Sequence, residues 1–254
     1  MNFLGIIPSR YASTRFPGKS LVDIDGKTMI QRVYEQAQPA VDKLYVATDD
    51  ERIAEAVKRF GGNVLLTSEK HNSGTDRCYE AYCKVGEGED AVVVNIQGDE
   101  PFIRPEQLEL LKSCFSESDT QIATLVKPFD KDGNFEQTLF NPNTPKVVLN
   151  SRNEAMYFSR SVIPYIRGRH HTQWLRTYTF YKHIGLYAYR ADILKEITAL
   201  PPSPLETAES LEQLRWLQNG YRIKTAITTL ETIGIDTPAD LEKALAYLRS
   251  QNVK

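Results

Sequence analysis

The chain has 254 residues, 41% of them hydrophobic and 25% charged, and 31 basic against 33 acidic side chains leave a net charge of -2. That length suits one large α/β domain or a core with a substantial insertion, and the composition excludes a disordered chain. The near-neutral balance excludes bulk electrostatic gripping of nucleic acid or anionic membrane, so an anionic ligand has to meet a local basic patch.

The first eight residues, ending at Pro8, are too short and too soon interrupted for a signal peptide, and no window reaches the ~18 to 20 apolar residues of a membrane helix. A cytosolic protein is expected. Cys78, Cys83 and Cys114 are odd in number and lack zinc or redox spacing, as expected of inert reduced thiols.

Short apolar runs alternate with amphipathic segments through the first half, the signature of a parallel sheet with crossover helices. The spacing predicts strand–helix pairs at 3–7 and 28–38, 43–47 and 50–59, 63–66 and 73–84, then 91–95 and 105–115. Thr48-Asp49-Asp50-Glu51 reads as a helix start with acids in the first turn, and Pro105 suits a first helical position. The pattern changes at about 130–181, where a turn cluster precedes a strand at 146–149 and an aromatic, proline-punctuated stretch at 157–166. It resumes with a strand at 184–189, helices from Ala191 and over 208–219, a strand at 222–226 and a closing helix at 238–248. The expectation is a single domain over 1–254 with an excursion at about 130–181.

The loop after the first strand carries Arg10, Arg15 and Lys19 with no carboxylate among them until Asp23. At the carboxyl end of a first strand, such a loop suits phosphates, although a cationic cluster there can also be solvated surface. Gly18-Lys19-Ser20 matches the end of a P-loop, but Ser13 stands where its first glycine belongs. Residues 21–27 then alternate apolar and polar up to a turn, so helix begins only near Thr28. This is a different phosphate loop, held by side-chain cations as much as by a helix end.

Asp99 follows the fourth strand in VVVNIQGDEP, where Gly98 allows close backbone approach and the carboxylate falls at the same sheet edge as the basic loop. A carboxylate facing a phosphate loop makes sense when Mg²⁺ lies between them, while the alternative is a turn or cap aspartate. Asp236, which ends Ile233-Gly234-Ile235-Asp236, is the natural second ligand and equally a helix N-cap. Ser73, Thr75 and Arg77 surround a helix start, where N–H groups and a guanidinium suit a base edge or phosphate and the hydroxyls suit capping. His183, Gly185 and Tyr187 share a strand face by period two, ahead of Glu206, Glu209, Glu212 and Gln213. Such carboxylate, amide and phenol groups suit a sugar, although a lone strand His or Tyr is also ordinary packing.

These segments in this order resemble the 3-deoxy-manno-octulosonate (Kdo) cytidylyltransferases over essentially the whole chain. The carriers are IIPSRYASTRFPGKSL, VATDD, HNSGTDR, VVVNIQGDEP, NPNTPKVV, YFSRSVIPY, KHIGLYAYR, SPLETAESLEQLRWLQNG and GIDTPADLE. The first and fourth also resemble sugar nucleotidyltransferases in general. The resemblance implies a Rossmann-like α/β nucleotidyltransferase that converts CTP and Kdo to CMP-Kdo and pyrophosphate for lipopolysaccharide biosynthesis. It implies a cytoplasmic homodimer joined through the excursion, with no nucleic-acid or membrane partner. Arg10 and Lys19 then fall on the triphosphate, with Ser13, Ser73, Thr75, Arg77 and Gln97 also at the nucleotide. Asp99 and Asp236 match a Mg²⁺-binding pair, and Lys19 joins them as the catalytic set. Arg160, His183, Tyr187, Glu212 and Gln213 fall where the acid sugar binds. Ser9 and Ser20 replace an expected alanine and proline, and the tract between Gly168 and Tyr181 has no counterpart in the resemblance.

Three rival readings differ in class. A nucleotidyltransferase for a sugar phosphate needs an added cation, activation of 8-amino-Kdo changes one pocket contact, and a non-catalytic nucleotide-binding regulator has no use for paired metal carboxylates.

Overall fold

The computed structural model describes residues 1–12, 15–231 and 233–251. In chain order its elements begin with strand β1 (Phe3–Ser9), the short strands β2 (Asp23–Ile24) and β3 (Lys27–Thr28), helix α1 (Met29–Ala37), β4 (Lys43–Thr48) and α2 (Glu51–Arg59). They continue with β5 (Val64–Leu66), α3 (Gly74–Val85), β6 (Val92–Asn95), α4 (Pro105–Ser113), β7 (Ile122–Pro128), β8 (Lys146–Leu149) and β9 (Ala155–Ser159). The chain ends with α5 (Trp174–Thr177), β10 (Tyr181–Arg190), α6 (Ala191–Thr198), α7 (Pro204–Glu209), α8 (Gln213–Gln218), β11 (Ile223–Ile227) and α9 (Pro238–Gln251). The architecture is α/β, a mostly parallel sheet flanked by helices, as the alternating runs predict. The chain packs as two compact units, one of residues 1–109, 190–198 and the C-terminal stretch through α9, the other of 110–189 and 199–231.

In the first unit, β1 pairs in parallel with β4 on one side, from Leu4↔Lys43 to Ser9↔Thr48, and with β6 on the other, from Phe3↔Val92 to Ile6↔Asn95. β5 extends the set beside β4. All four strands therefore end at one edge, and the segments after Ser9, Thr48, Leu66 and Asn95 emerge together. β6 is buried along its whole length and Leu4, Ile6 and Ile7 of β1 are fully buried, as the unbroken apolar runs of a covered parallel strand require. Burying each such side chain contributes about 1.5–3 kcal/mol.

The helices start where side-chain oxygens replace missing backbone partners. Thr28 accepts from Gln31 N–H, Asp50 from Arg52 N–H and Ser73 from Asp76 N–H. α1 buries Met29, Ile30, Val33, Tyr34 and Ala37, the spacing of one helical face. The polar–apolar alternation after Leu21 forms the β2–β3 hairpin, whose turn residues Asp25 and Gly26 have φ of 54° and 82°. Helix begins immediately beyond it, which excludes a P-loop geometry here.

In the second unit, β7 lies parallel to β11 and antiparallel to β10, whose register shifts between Ile184 and Tyr187. β8 pairs with β9 and also meets β10 at Tyr181↔Val147. A separate core of Phe129, Leu139, Trp174, Leu175 and Phe180 anchors the excursion. β7 and β9 carried no expectation. The helix predicted over 208–219 is instead two, α7 and α8, divided at Ser210 with φ of 50°. Ser203 and Glu206 form a reciprocal capping box with Pro204 just inside, so helix starts earlier than predicted and ends at this left-handed residue.

Candidate functional site

The basic loop leaves β1 and is shaped by its own main chain. Gly18 N–H donates to the Tyr11 carbonyl at 2.9 Å, and Gly18 has φ of 71°. A Cβ there would come within 3.0 Å of the Tyr11 ring, so glycine serves both conformation and space. The Arg52 guanidinium carbon lies 3.3 Å over the Tyr11 ring centroid, a cation–π contact worth about 0.5–1 kcal/mol when exposed. Ser13 lies outside the described residues.

Lys19 comes out of this loop to meet both candidate metal ligands. Its Nζ lies 2.6 Å from Asp99 Oδ2 and 2.9 Å from Asp236 Oδ1. Arg15 takes the other Asp236 oxygen at 3.0 Å. Burial alone would lower the Lys19 ammonium, but the two carboxylates outweigh it and hold the group above its ordinary value.

Main chain fixes the two carboxylates relative to each other. Ile235 N–H donates to the Asp99 carbonyl at 2.9 Å, tying their loops together. A Cβ on Gly98 would come within 3.1 Å of the Pro8 carbonyl, the close approach its position in the motif predicts. The cap alternative for Asp236 is also resolved. Thr237 Oγ1 accepts from Asp240 N–H while Asp240 Oδ2 accepts from Thr237 N–H, so Thr237 caps α9 and the Asp236 side chain is left for Lys19 and Arg15. Glu100 beside them is half-buried, and its Oε2 is enclosed and in no hydrogen bond. Burial, with Asp99 adding, pushes its carboxyl up to about 8.

Three cavities open along this edge, and Arg10 lines all of them. One of about 270 Å³ holds Arg15, Lys19, Gln97, Asp99 and Asp236. A second of about 130 Å³ lies at the start of α3, lined by His71, Ser73, Gly74, Arg77 and Gln97. A third of about 380 Å³ adds Tyr11, Asp49, Asp50 and Arg52. Arg77 is buried, donating to Thr67 Oγ1 at 2.6 Å and Asp49 Oδ2 at 2.7 Å. Ser73 lines its cavity while its hydroxyl caps α3, so the capping reading holds. Thr75 is buried in the first helical turn and lines none of the three. His71 Nε2 meets Glu80, which Ser68 N–H and Lys84 also engage and which is held at about 2 against the cost of its burial.

The acid-sugar candidates lie in the second unit. His183 and Tyr187 face each other with ring centroids 5.3 Å apart, and Tyr187 packs edge-on to Trp216 at 5.1 Å. Burial lowers His183 to about 3, so the imidazole is neutral. Thr124 Oγ1, which donates to the Leu186 carbonyl at 2.8 Å, lies 3.2 Å from His183 Nε2, and this assigns the ring proton to Nε2. Burial raises the Tyr187 phenol, with Tyr189 and Glu212 adding. The buried Gln213 Nε2 and Trp216 Nε1 have no hydrogen-bond partner. Such orphaned donors cost about 1–3 kcal/mol each and suit a polar ligand. Arg160 donates to the carbonyls of Glu209, Pro142 and Ser210 at 2.6, 3.0 and 3.2 Å.

Sequence reading passed over several groups. Asp49 pairs with Arg77 from within VATDD, a segment read for its helix start and for the resemblance but not for a site residue. The Tyr11–Arg52 contact and Trp216 gave no signal beyond residue type. Lys146 is fully buried, with its ammonium on the Asn141 carbonyl at 3.0 Å, and burial lowers it to about 8. Among the described residues no three His, Cys, Asp or Glu side chains form a metal cluster.

Comparison with known proteins follows this geometry. The family model described as cytidylyltransferase matches residues 4–226. A 3-deoxy-manno-octulosonate cytidylyltransferase of Parabacteroides distasonis is 70% identical over 99% of this chain and 100% of its own. One of Phocaeicola vulgatus is 64% identical over 99% of each. A solved CMP:2-keto-3-deoxy-manno-octonic acid synthetase complexed with CTP aligns with a TM-score of 0.89 at 43% identity, covering 99% of this chain and 100% of that one.

Proposed function

Because the chain belongs to the 3-deoxy-manno-octulosonate cytidylyltransferase family, we propose that it transfers the cytidylyl group of CTP to Kdo, releasing pyrophosphate, and that Asp99 and Asp236 hold the Mg²⁺ this requires. The observation that carries the site assignment is the convergence of Asp99 and Asp236 oxygens within 3 Å of one cation, in the same cavity as Arg10. Two hard carboxylate donors beside a phosphate-sized cationic cavity fit Mg²⁺.

The anomeric hydroxyl of Kdo attacks the α-phosphorus in line. A new O–P bond forms, the bond to the bridging oxygen breaks, and pyrophosphate leaves. Arg10 and Lys19 orient the triphosphate and balance its charge, so most of the rate comes from positioning and electrostatics. A Mg²⁺ held by Asp99 and Asp236 would supply further charge neutralisation and would make the attacking hydroxyl easier to deprotonate. His183, Tyr187, Glu212 and Gln213 offer the sugar a neutral imidazole, a phenol, a carboxylate and an amide. Arg160 acts by holding the Glu209–Ser210 turn ahead of Glu212.

The chain acts for lipopolysaccharide biosynthesis in the cytoplasm, and no helix among the described residues is long and apolar enough to cross a membrane. It acts as a homodimer. The excursion's exposed Tyr165, Met156 and Phe140 support that reading, and sedimentation analysis tests it.

Pyrophosphate release measured with CTP, UTP and GTP, each against Kdo, 8-amino-Kdo, a sialic acid and a hexose 1-phosphate, tests the activity. Release with CTP and Kdo is expected. Preference for 8-amino-Kdo or a hexose 1-phosphate transfers the reading to that substrate, and release with none supports a binding protein.

A further inference from the structure

The Lys19 ammonium lies between the two oxygens that would hold a divalent cation. It is 2.6 Å from Asp99 Oδ2 and 2.9 Å from Asp236 Oδ1, and only 16% of the side chain is exposed. An ion taking both of these oxygens at about 2.0–2.1 Å would lie in the space between them that the ammonium now fills, so the two cations cannot hold that position together. Two cations crowded onto one pair of carboxylates would also repel each other at short range.

We infer that Lys19 competes with the divalent cation for Asp99 and Asp236, and that a nucleoside triphosphate couples the two binding events by drawing the ammonium onto phosphate. The inference rests on the metal reading above and adds an order to it. A divalent ion meeting the protein alone must displace the ammonium from two ion pairs and leave it without an anion. When a polyanion shares the cavity with Lys19, Arg10 and Arg15, the ammonium exchanges carboxylate for phosphate, and the vacated oxygens and the phosphates complete the metal's shell.

The exchange needs only side-chain motion. Lys19 N–H donates to the Phe16 carbonyl and Val22 N–H to the Lys19 carbonyl, so the backbone is anchored at both ends of this turn. A four-carbon stem swings its ammonium by rotating about single bonds, with no backbone rearrangement. Arg15 holds the second Asp236 oxygen with a side chain 66% exposed, so it follows the ligand readily. Coupling free energies are reciprocal. The factor by which triphosphate tightens metal binding equals the factor by which metal tightens triphosphate binding, and such factors run from about 5- to 150-fold.

Mn²⁺ titrated into the protein without nucleotide, with free Mn²⁺ read by electron paramagnetic resonance and folding checked by circular dichroism, tests this. Lys19→Met should bind Mn²⁺ about tenfold more tightly than wild type, because the competitor is gone. Lys19→Arg, which keeps a cation, should stay near wild type. A non-hydrolysable CTP analogue should tighten Mn²⁺ binding strongly in wild type and about tenfold less in Lys19→Met. Equal or weaker Mn²⁺ binding by Lys19→Met, with both proteins still dependent on Asp99, overturns the competition and leaves the metal site standing. If Asp99→Asn leaves Mn²⁺ affinity unchanged in the presence of the analogue, the metal site itself is wrong and the inference goes with it.

Discussion

In the first unit the charged groups at the strand ends answer one another. Lys19 and Arg15 meet Asp99 and Asp236, and Arg77 meets Asp49. In the second unit several of the candidate groups are neutral, His183 and Tyr187 packed among aromatic rings and Gln213 Nε2 and the indole N–H of Trp216 unpartnered, beside the carboxylate of Glu212. The contrast follows from what each state costs. An unpaired charge taken out of water costs several kcal/mol, so ions persist at a site only by pairing, whereas a neutral donor left alone costs about 1–3 kcal/mol and can wait for a ligand. On the reading proposed above, the first region would exchange partners on binding, while the second would fill vacant hydrogen-bond positions.

The largest effect expected from breaking this contrast is on turnover. Asp99→Asn keeps the shape and removes the charge, so it should fold normally and lose about 1,000-fold or more in kcat. Near-wild-type activity at saturating magnesium would sink the metal-ligand role.

The next effect is a stability difference with pH. His183 titrates at about 3 in the fold against an ordinary 6.5, because burial disfavours the imidazolium. Below pH 6.5 the unfolded chain takes up a proton that the fold refuses, so the stability from this residue is complete above 6.5 and falls as pH drops toward 3. Replacing His183 with Gln removes that dependence. Wild type should lose on the order of a few kcal/mol more than the variant across this window, read by urea denaturation at several pH values, and parallel curves would mean the ring is not held neutral.

Lys146 runs to the alkaline side. Burial lowers it to about 8 from 10.5, so at pH 7 folding carries the cost of a buried ammonium, and stability rises as pH goes from about 8 to 10.5 because the unfolded chain still binds the proton. Lys146→Met should be more stable than wild type at pH 7 by on the order of 2 kcal/mol, with the gap closing near pH 10.5. A gap independent of pH would point to packing instead.

The smallest effect separates cap from ligand. Thr237→Ala should cost about 1 kcal/mol in thermal unfolding and leave most of the turnover, while Asp236→Asn does the reverse. A loss of stability from Asp236→Asn equal to that of Thr237→Ala would return Asp236 to a capping role.

Much of the first unit is legible in the sequence because its signals are local. Thr28, Asp50 and Ser73 stand where caps are needed, and the apolar runs of β1, β4 and β6 keep to strand length. β7 was missed because IATLV is a short, largely apolar run interrupted by Thr124, which periodicity alone cannot assign. The α7–α8 division was missed because a serine at φ of 50° has no strong residue signature, unlike a glycine. At the site, Asp99, Asp236 and Lys19 were each legible as types at strand or loop ends. Their convergence at one sheet edge was expected too, but the direct ion pairs of Lys19 with both carboxylates were not, since Lys19 is separated by 80 residues from one and by 217 from the other. Lys146 reads as one polar residue in a strand, and only packing shows that no water reaches it.

The hydrogen bond from Ile235 N–H to the Asp99 carbonyl is made by main chain alone. The bond needs no particular side chain at either position, although Ile235 itself is fixed by its place in the core beside Ile24, Met29 and Ala244, so the separation of the two carboxylates is set by main chain and packing rather than by the cations around them. Proline at 235 would remove the bond, since it has no N–H to give. A lineage could thus retune its nucleotide loop repeatedly without disturbing the frame on which the two acids are mounted.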